Sequence, residues 1–219
     1  MLERRFCSIK GAEFGSTQLL SLQRLSVFAA LLPVGYLLVN LVPWYLVIIT
    51  RSFTIGDSTY QEVDTFKTVA LQVVTTTAGA ALIALVLTAL INWLTRKSAS
   101  CSTSFIVAAA LNGLIWFGDG ISGNHLTFNS PLTMNALVAG RFYGVSNTAF
   151  AFGAVGAMIA LLAWADWLKS RYSLRASLLA VSGVGLLLVI VDAAPFLGAD
   201  FGGALALIPT LGVALVKLS

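Results

Sequence analysis

The sequence predicts an all-α fold: a polytopic transmembrane helix bundle of about six spans. Three observations carry this. Apolar residues make up 58% of the 219 and charged residues only 10%, with a mean hydropathy of +0.91. Soluble domains carry about 25% charged residues, so this chain is too poor in charge to clothe a water-exposed surface. The charges also gather in short stretches between long apolar runs. Finally, they are asymmetric. With six spans and the N-terminus inside, Arg4, Arg5, Lys10, Arg24, Arg96, Lys97, Lys169, Arg171, Arg175 and Lys217 fall on one side, against Arg51, Lys67 and Arg141 on the other. That bias is the positive-inside pattern, so the expected location is the plasma membrane, multi-pass, with a cytoplasmic N-terminus. The net charge of +4 is accounted for by these membrane-flanking clusters, and nucleic acid is not an expected partner.

Residues 1–24 mix charged and apolar side chains and read as a cytoplasmic tail or interfacial helix. Residues 25–219 form the transmembrane domain. Its first span is the uncharged run Leu25–Thr50, too long for a signal-peptide core and with no small-residue cleavage site after it. Pro33 and Pro43 are expected to kink it, and Asn40 to seek a hydrogen bond on a neighbouring helix. Arg51–Lys67 reads as a polar loop. The second run, Thr68–Thr95, contains Thr75-Thr76-Thr77-Ala78-Gly79-Ala80, a small-sided segment suited to close helix packing. Its threonines either line a polar path or bond their own helix backbone.

The third run, Phe105–Gly118, ends at Asp119 and is short unless residues 98–104 join it. Residues 126–140 read as an external loop, an interfacial helix or a re-entrant segment, three possibilities the sequence leaves open. Phe142–Ala165 is a clear span, with Gly153 and Gly156 expected to face another helix. The last two runs, Ala176–Val191 and Phe201–Val216, have 16 residues each. At about 1.5 Å per residue they reach roughly 24 Å, short of the ~30 Å hydrocarbon core, which draws Asp192 and Asp200 toward the bilayer. Gly183, Gly185 and Pro209 mark packing contacts or kinks. Cys7 and Cys101 have no metal-type spacing and read as reduced thiols.

This topology places Asp119, His125, Arg141, Asn147, Asp192 and Asp200 at one membrane face, the outer one. A carboxylate in or near the bilayer needs a partner or a wet cavity. Arg141 is the basic residue available on that side of the later spans. Its pairing with Asp192 is either a structural ion pair or part of an anion site, since the planar guanidinium suits phosphate or carboxylate. His125 is either a proton shuttle or metal ligand, with Asp119 as a neighbour, or a solvated loop residue. No zinc motif, phosphate-binding glycine loop or serine-nucleophile elbow is present, and no metal or cofactor is expected.

Ala139-Gly140-Arg141-Phe142-Tyr143-Gly144-Val145-Ser146-Asn147 resembles a Gly-Arg-Phe-x-Gly-x-Gly-Asn signature, with Ser146 in place of a glycine. Asp192, Pro195, Gly198, Ala199, Asp200, Gly202 and Gly203 resemble a second signature, Asp-x-x-Pro-x-x-Gly-Ala-Asp-x-Gly-Gly. Together they resemble an uncharacterised family of polytopic membrane proteins of actinobacteria and firmicutes. That resemblance implies a grouped site and supplies no activity. The leading expectation is a transporter or permease-like module with a polar site near the extracytoplasmic side; the alternatives are a membrane enzyme or accessory subunit that binds a lipid-linked phosphate or glycan at the outer leaflet, and a structural scaffold. The expected partners are membrane lipids, an anionic or lipid-linked ligand, and other membrane subunits.

Overall fold

The computed structural model describes residues 16–42, 50–55, 58–97, 102–127, 147–197 and 200–219. Arg141, Cys7, Cys101, Pro43 and most of 126–140 lie outside these residues. Among the described residues six α-helices form: α1 Ser16–Leu38, α2 Thr65–Leu94, α3 Thr103–Ser122, α4 Asn147–Arg171, α5 Leu174–Ala193 and α6 Phe201–Leu218. All six are long and apolar enough to cross a membrane. The protein is therefore a multi-pass, all-α membrane bundle.

The helix α1 begins at Ser16, so residues 16–24 are continuous with the first span. Pro33 sits inside it without interrupting it. The span ends earlier than the apolar run, in a 3-10 turn at Val39–Leu41 followed by Val42 in extended backbone (φ −104°, ψ 122°). Val42 precedes Pro43, and a residue before proline is pushed out of the helical region. The expected polar loop after it is a β-hairpin. Strands β1 Thr50–Ile55 and β2 Ser58–Val63 pair antiparallel, Thr50 opposite Val63 and Ile55 opposite Ser58. The alternating β-branched and aromatic residues around Gly56-Asp57 carry that signal. Asp64 then caps α2, its Oδ1 accepting from the Lys67 backbone N–H at 3.2 Å.

The third span is longer than its apolar run. α3 continues through Asp119 to Ser122 and stops at Gly123, whose φ of +100° suits glycine. Gly123 N–H donates to Gly120 O and Asn124 N–H to Asp119 O, the paired 5→2 and 6→1 bonds of a Schellman stop. α4 likewise runs past Asp166 to Arg171. Both α5 and α6 exceed 16 residues, reaching 20 and 18. At 1.5 Å per residue these are about 30 and 27 Å, enough to span.

In space the helices follow the order α2, α1, α3, α4, α5, α6, with α3 also touching α5 and α4 touching α6. One apolar core joins α1, α2 and α3 around Leu31, Val34 and Ala84. A second joins α4, α5 and α6 around Leu161, Val181 and Leu211. Glycines let the pairs close. A Cβ on Gly156 would stand 2.7 Å from Ala109 O, and one on Gly113 would stand 2.6 Å from Ala157 N. One on Gly153 would meet Trp116 Cβ at 2.9 Å, so both Gly153 and Gly156 face α3 as expected. Gly35 abuts the Ala80 carbonyl and Gly79 meets Val39, which is the close contact anticipated for the small-sided segment of α2. Gly185 packs on Leu211, whereas Gly183 looks into open space. Thr75 and Thr76 bond the carbonyls of Leu71 and Gln72 in their own helix, and Thr77 accepts from Tyr36 Oη. These threonines serve helix structure.

Candidate functional site

The candidate site is the end of the bundle where α3 and α5 finish and α6 begins. Three carboxylates are buried there: Asp119 at 3% exposure, Asp192 at 1% and Asp200 at 1%. Each is held by a different local device.

Asp119 occupies the last turn of α3, and the chain folds back over it after the Schellman stop. Its Oδ1 accepts from Leu126 N–H at 2.8 Å, and its Oδ2 accepts from Thr127 N–H at 2.8 Å and from Thr127 Oγ1 at 2.5 Å. Three donors satisfy this one carboxylate and fix the turn. The turn then ties to its neighbours. Asn40 Nδ2 donates to Leu126 O at 2.7 Å, so its partner lies on the turn after α3 and not on a neighbouring helix as expected. Asn124 Nδ2 donates to Leu197 O at 3.2 Å, which joins the α3 turn to the turn after α5.

Asp192 lies in the last turn of α5 and Asp200 is the residue before α6. Their backbones are bonded directly, Asp200 N–H to Asp192 O at 2.8 Å, across the 194–197 turn. The glycine pair of the second signature has a steric basis at one position. A Cβ on Gly203 would run into Asp192 Oδ2 and would sit 2.6 Å from Phe150 Cδ2. A Cβ on Gly202 would make only ordinary contact with Asp200 Oδ1 at 3.5 Å.

Beside Asp192 is a small recess walled by Trp116, Gly120, Ala149, Phe150, Gly153 and Val191, with room for about one water. Trp116 is 3% exposed, and its Nε1 is buried with no hydrogen-bond partner among the described residues.

The structure thus gathers Asp119, Asp192 and Asp200 at one end. His125 is exposed on the turn after α3, and Asn147 is exposed as the first residue of α4. Among the described residues no three His, Cys, Asp or Glu side chains group to hold a metal. Trp116, Asn124 and Thr127 were not singled out from sequence. The Gly123-Asn124 pair, placed after an apolar run, is the signal that could have located the turn. Trp116 carried no signal beyond a large residue in a span. No protein-family model, no curated protein and no solved structure matches the chain.

Proposed function

We propose that this protein is a membrane binding module, acting as an enzyme's accessory subunit or as an enzyme itself, that recognises a lipid-linked phosphate or glycan at the extracytoplasmic face. One observation carries the reading: the buried carboxylates lie at helix ends, in the last turn of α5 and just before α6, rather than halfway along a span. Transporter sites typically sit near the midplane, at helices broken there. α5 and α6 are continuous helices instead, which gives transport less support. Carboxylates accept hydrogen bonds from sugar hydroxyls, and Arg141, six residues before α4, is the residue of this proposal that would take a phosphate.

The orientation belongs to the same proposal. The exposed cations Arg96, Lys97, Lys169, Arg171 and Arg175 lie at the end opposite the carboxylates. Trp93, Trp167 and Tyr172 are exposed beside them, and Arg96 stands 5.2 Å above the Trp93 ring. Aromatic and basic residues together mark an interfacial belt, and an excess of cations marks the cytoplasmic side. The likeness of the two signatures to a family of bacterial polytopic proteins is consistent with a plasma-membrane site. The test is lipid extraction from protein purified out of native membranes, followed by mass spectrometry. A phosphorylated or glycosylated lipid retained by the wild type and lost from both Asp192→Asn and Arg141→Gln supports the reading. Identical lipid profiles in all three proteins refute it.

A further inference from the structure

We propose that the recess between Trp116 and Asp192 is a hydroxyl-binding subsite, filled by the O–H of water or of a bound ligand. The inference rests on the binding reading above and adds the chemistry of one contact. Trp116 lines the recess from α3 and Asp192 lines it from α5. The Trp116 indole N–H can only donate, and it is buried with no partner among the described residues. A buried donor left unmade is costly, and native interiors rarely leave one. Asp192 offers carboxylate oxygens, which accept. An occupant that touches both groups must accept from Trp116 and donate to Asp192 through the same small volume. An O–H group does both with one heavy atom. An ammonium only donates, and a phosphate oxygen only accepts and would meet a carboxylate.

Size agrees with this chemistry. The recess has room for about one water, and a water needs at least two polar partners to be held. Gly120, Ala149 and Gly153 form the wall, and a Cβ on Gly153 would meet Trp116 at 2.9 Å. The small residues that let α3 and α4 close therefore also position the indole.

The experiment reads the Trp116 indole directly. Ultraviolet resonance Raman spectra of the full chain in phosphatidylcholine nanodiscs, minus those of Trp116→Phe, report whether the Nε1–H is hydrogen-bonded. Phenylalanine keeps a ring of similar bulk, so the variant is expected to fold, and its thermal unfolding is measured alongside. A bonded signature in plain nanodiscs assigns the subsite to water. A bonded signature that emerges only when a glycosyl diacylglycerol is added assigns it to the ligand hydroxyl, and Trp116→Phe should then retain that glycolipid about tenfold more weakly. A free Nε1–H under both conditions overturns the proposal. If Trp116→Phe is too unstable to measure, a high-resolution structure of the wild type takes its place: an oxygen within about 3.2 Å of Trp116 Nε1 supports the proposal, and none there overturns it. If the glycolipid co-purifies with wild type yet Trp116 is unbonded, the hydroxyl subsite fails while the binding function stands.

Discussion

The tight crossing of α3 and α4 gives the sharpest test of the packing, because two glycines in the bundle should respond to the same substitution with opposite sign. At Gly156 an added Cβ would sit 2.7 Å from Ala109 O, 2.9 Å from Gly113 N and 3.1 Å from Asn112 Cβ. Two of these neighbours are backbone atoms, which cannot swing away. Carbon–oxygen contacts relax at about 3.3 Å or more, so the helices must separate by roughly 0.6 Å. Overpacking of that kind costs about 1–3 kcal/mol. At Gly183 nothing lies within 4 Å of the added Cβ. Alanine is favoured over glycine in a helix interior by about 0.5–1 kcal/mol at both sites. That preference cancels in the comparison, so the difference between Gly156→Ala and Gly183→Ala isolates the clash at about 1–3 kcal/mol. For a chain of this length the gap corresponds to about 2–12 °C in melting temperature. Thermal unfolding of both variants in one detergent measures it. A Gly156→Ala protein that melts at or above Gly183→Ala would show that the two helices do not meet backbone to backbone there.

Four further outcomes are expected. Asp119→Asn turns an amide group toward one of the three donors it now satisfies; it should lower stability by about 1–3 kcal/mol, and Thr127→Val, which removes one donor, by about 1 kcal/mol. Thermal unfolding in which Asp119→Asn matches wild type would contradict this. Gly203→Ala should destabilise more than Gly202→Ala, because only Gly203 is pressed by Asp192 and Phe150, and equal melting of the two would count against the arrangement. Lys169 Nζ donates to Leu218 O at 2.7 Å at the last turn of α6; Lys169→Met should cost about 0.3–1 kcal/mol through the lost helix-end interaction, and no change in melting would remove that contact from the account. A cysteine placed at the exposed Ser170 should react with a membrane-impermeant maleimide only in inverted vesicles, and labelling in intact cells would reverse the proposed orientation.

The helical class was legible because it depends on composition, which a bilayer constrains more tightly than water does. Close contacts were legible where small residues repeat, as at Gly153 and Gly156 on α4 or Gly79 on α2. Helix ends were harder. Asp119 ends the apolar run but not the helix, since a charged residue whose carboxylate is tied by Leu126 and Thr127 can stay helical. The strands Thr50–Ile55 and Ser58–Val63 read as loop in the sequence because their polarity masks a two-residue alternation. At the site, the grouping of Asp192 with Asp200 followed from run lengths and turn residues. Trp116 could not be found that way. Its role depends on which neighbour its indole meets across α4 and α5, and one sequence holds no such long-range distance. Arg141 lies outside the described residues, so the expected ion pair remains part of the proposal.

The helix ends also explain why Asp192 and Asp200 can both be buried beside one another. A helix carries partial positive charge at its N-terminus and partial negative charge at its C-terminus. Asp200 precedes α6 and so sits at a favourable end. Asp192, in the last turn of α5, sits at an unfavourable one, where the helix's own carbonyls repel it. Its Oδ2, however, packs against Gly203, in the first turn of α6. The start of α6, the favourable end of its dipole for a carboxylate, thus lies beside the carboxyl group that the end of α5 disfavours. The Asp200 N–H to Asp192 O bond at 2.8 Å fixes this juxtaposition, and the missing side chain at Gly203 permits the approach. A single substitution at Gly203 therefore acts on three things together: the distance between α5 and α6, the electrostatic support of Asp192, and the wall position of that carboxylate beside Trp116. Loss of stability together with loss of the hydrogen bond proposed for Trp116 in Gly203→Ala is the signature of that coupling, and loss of one without the other would separate packing from the site.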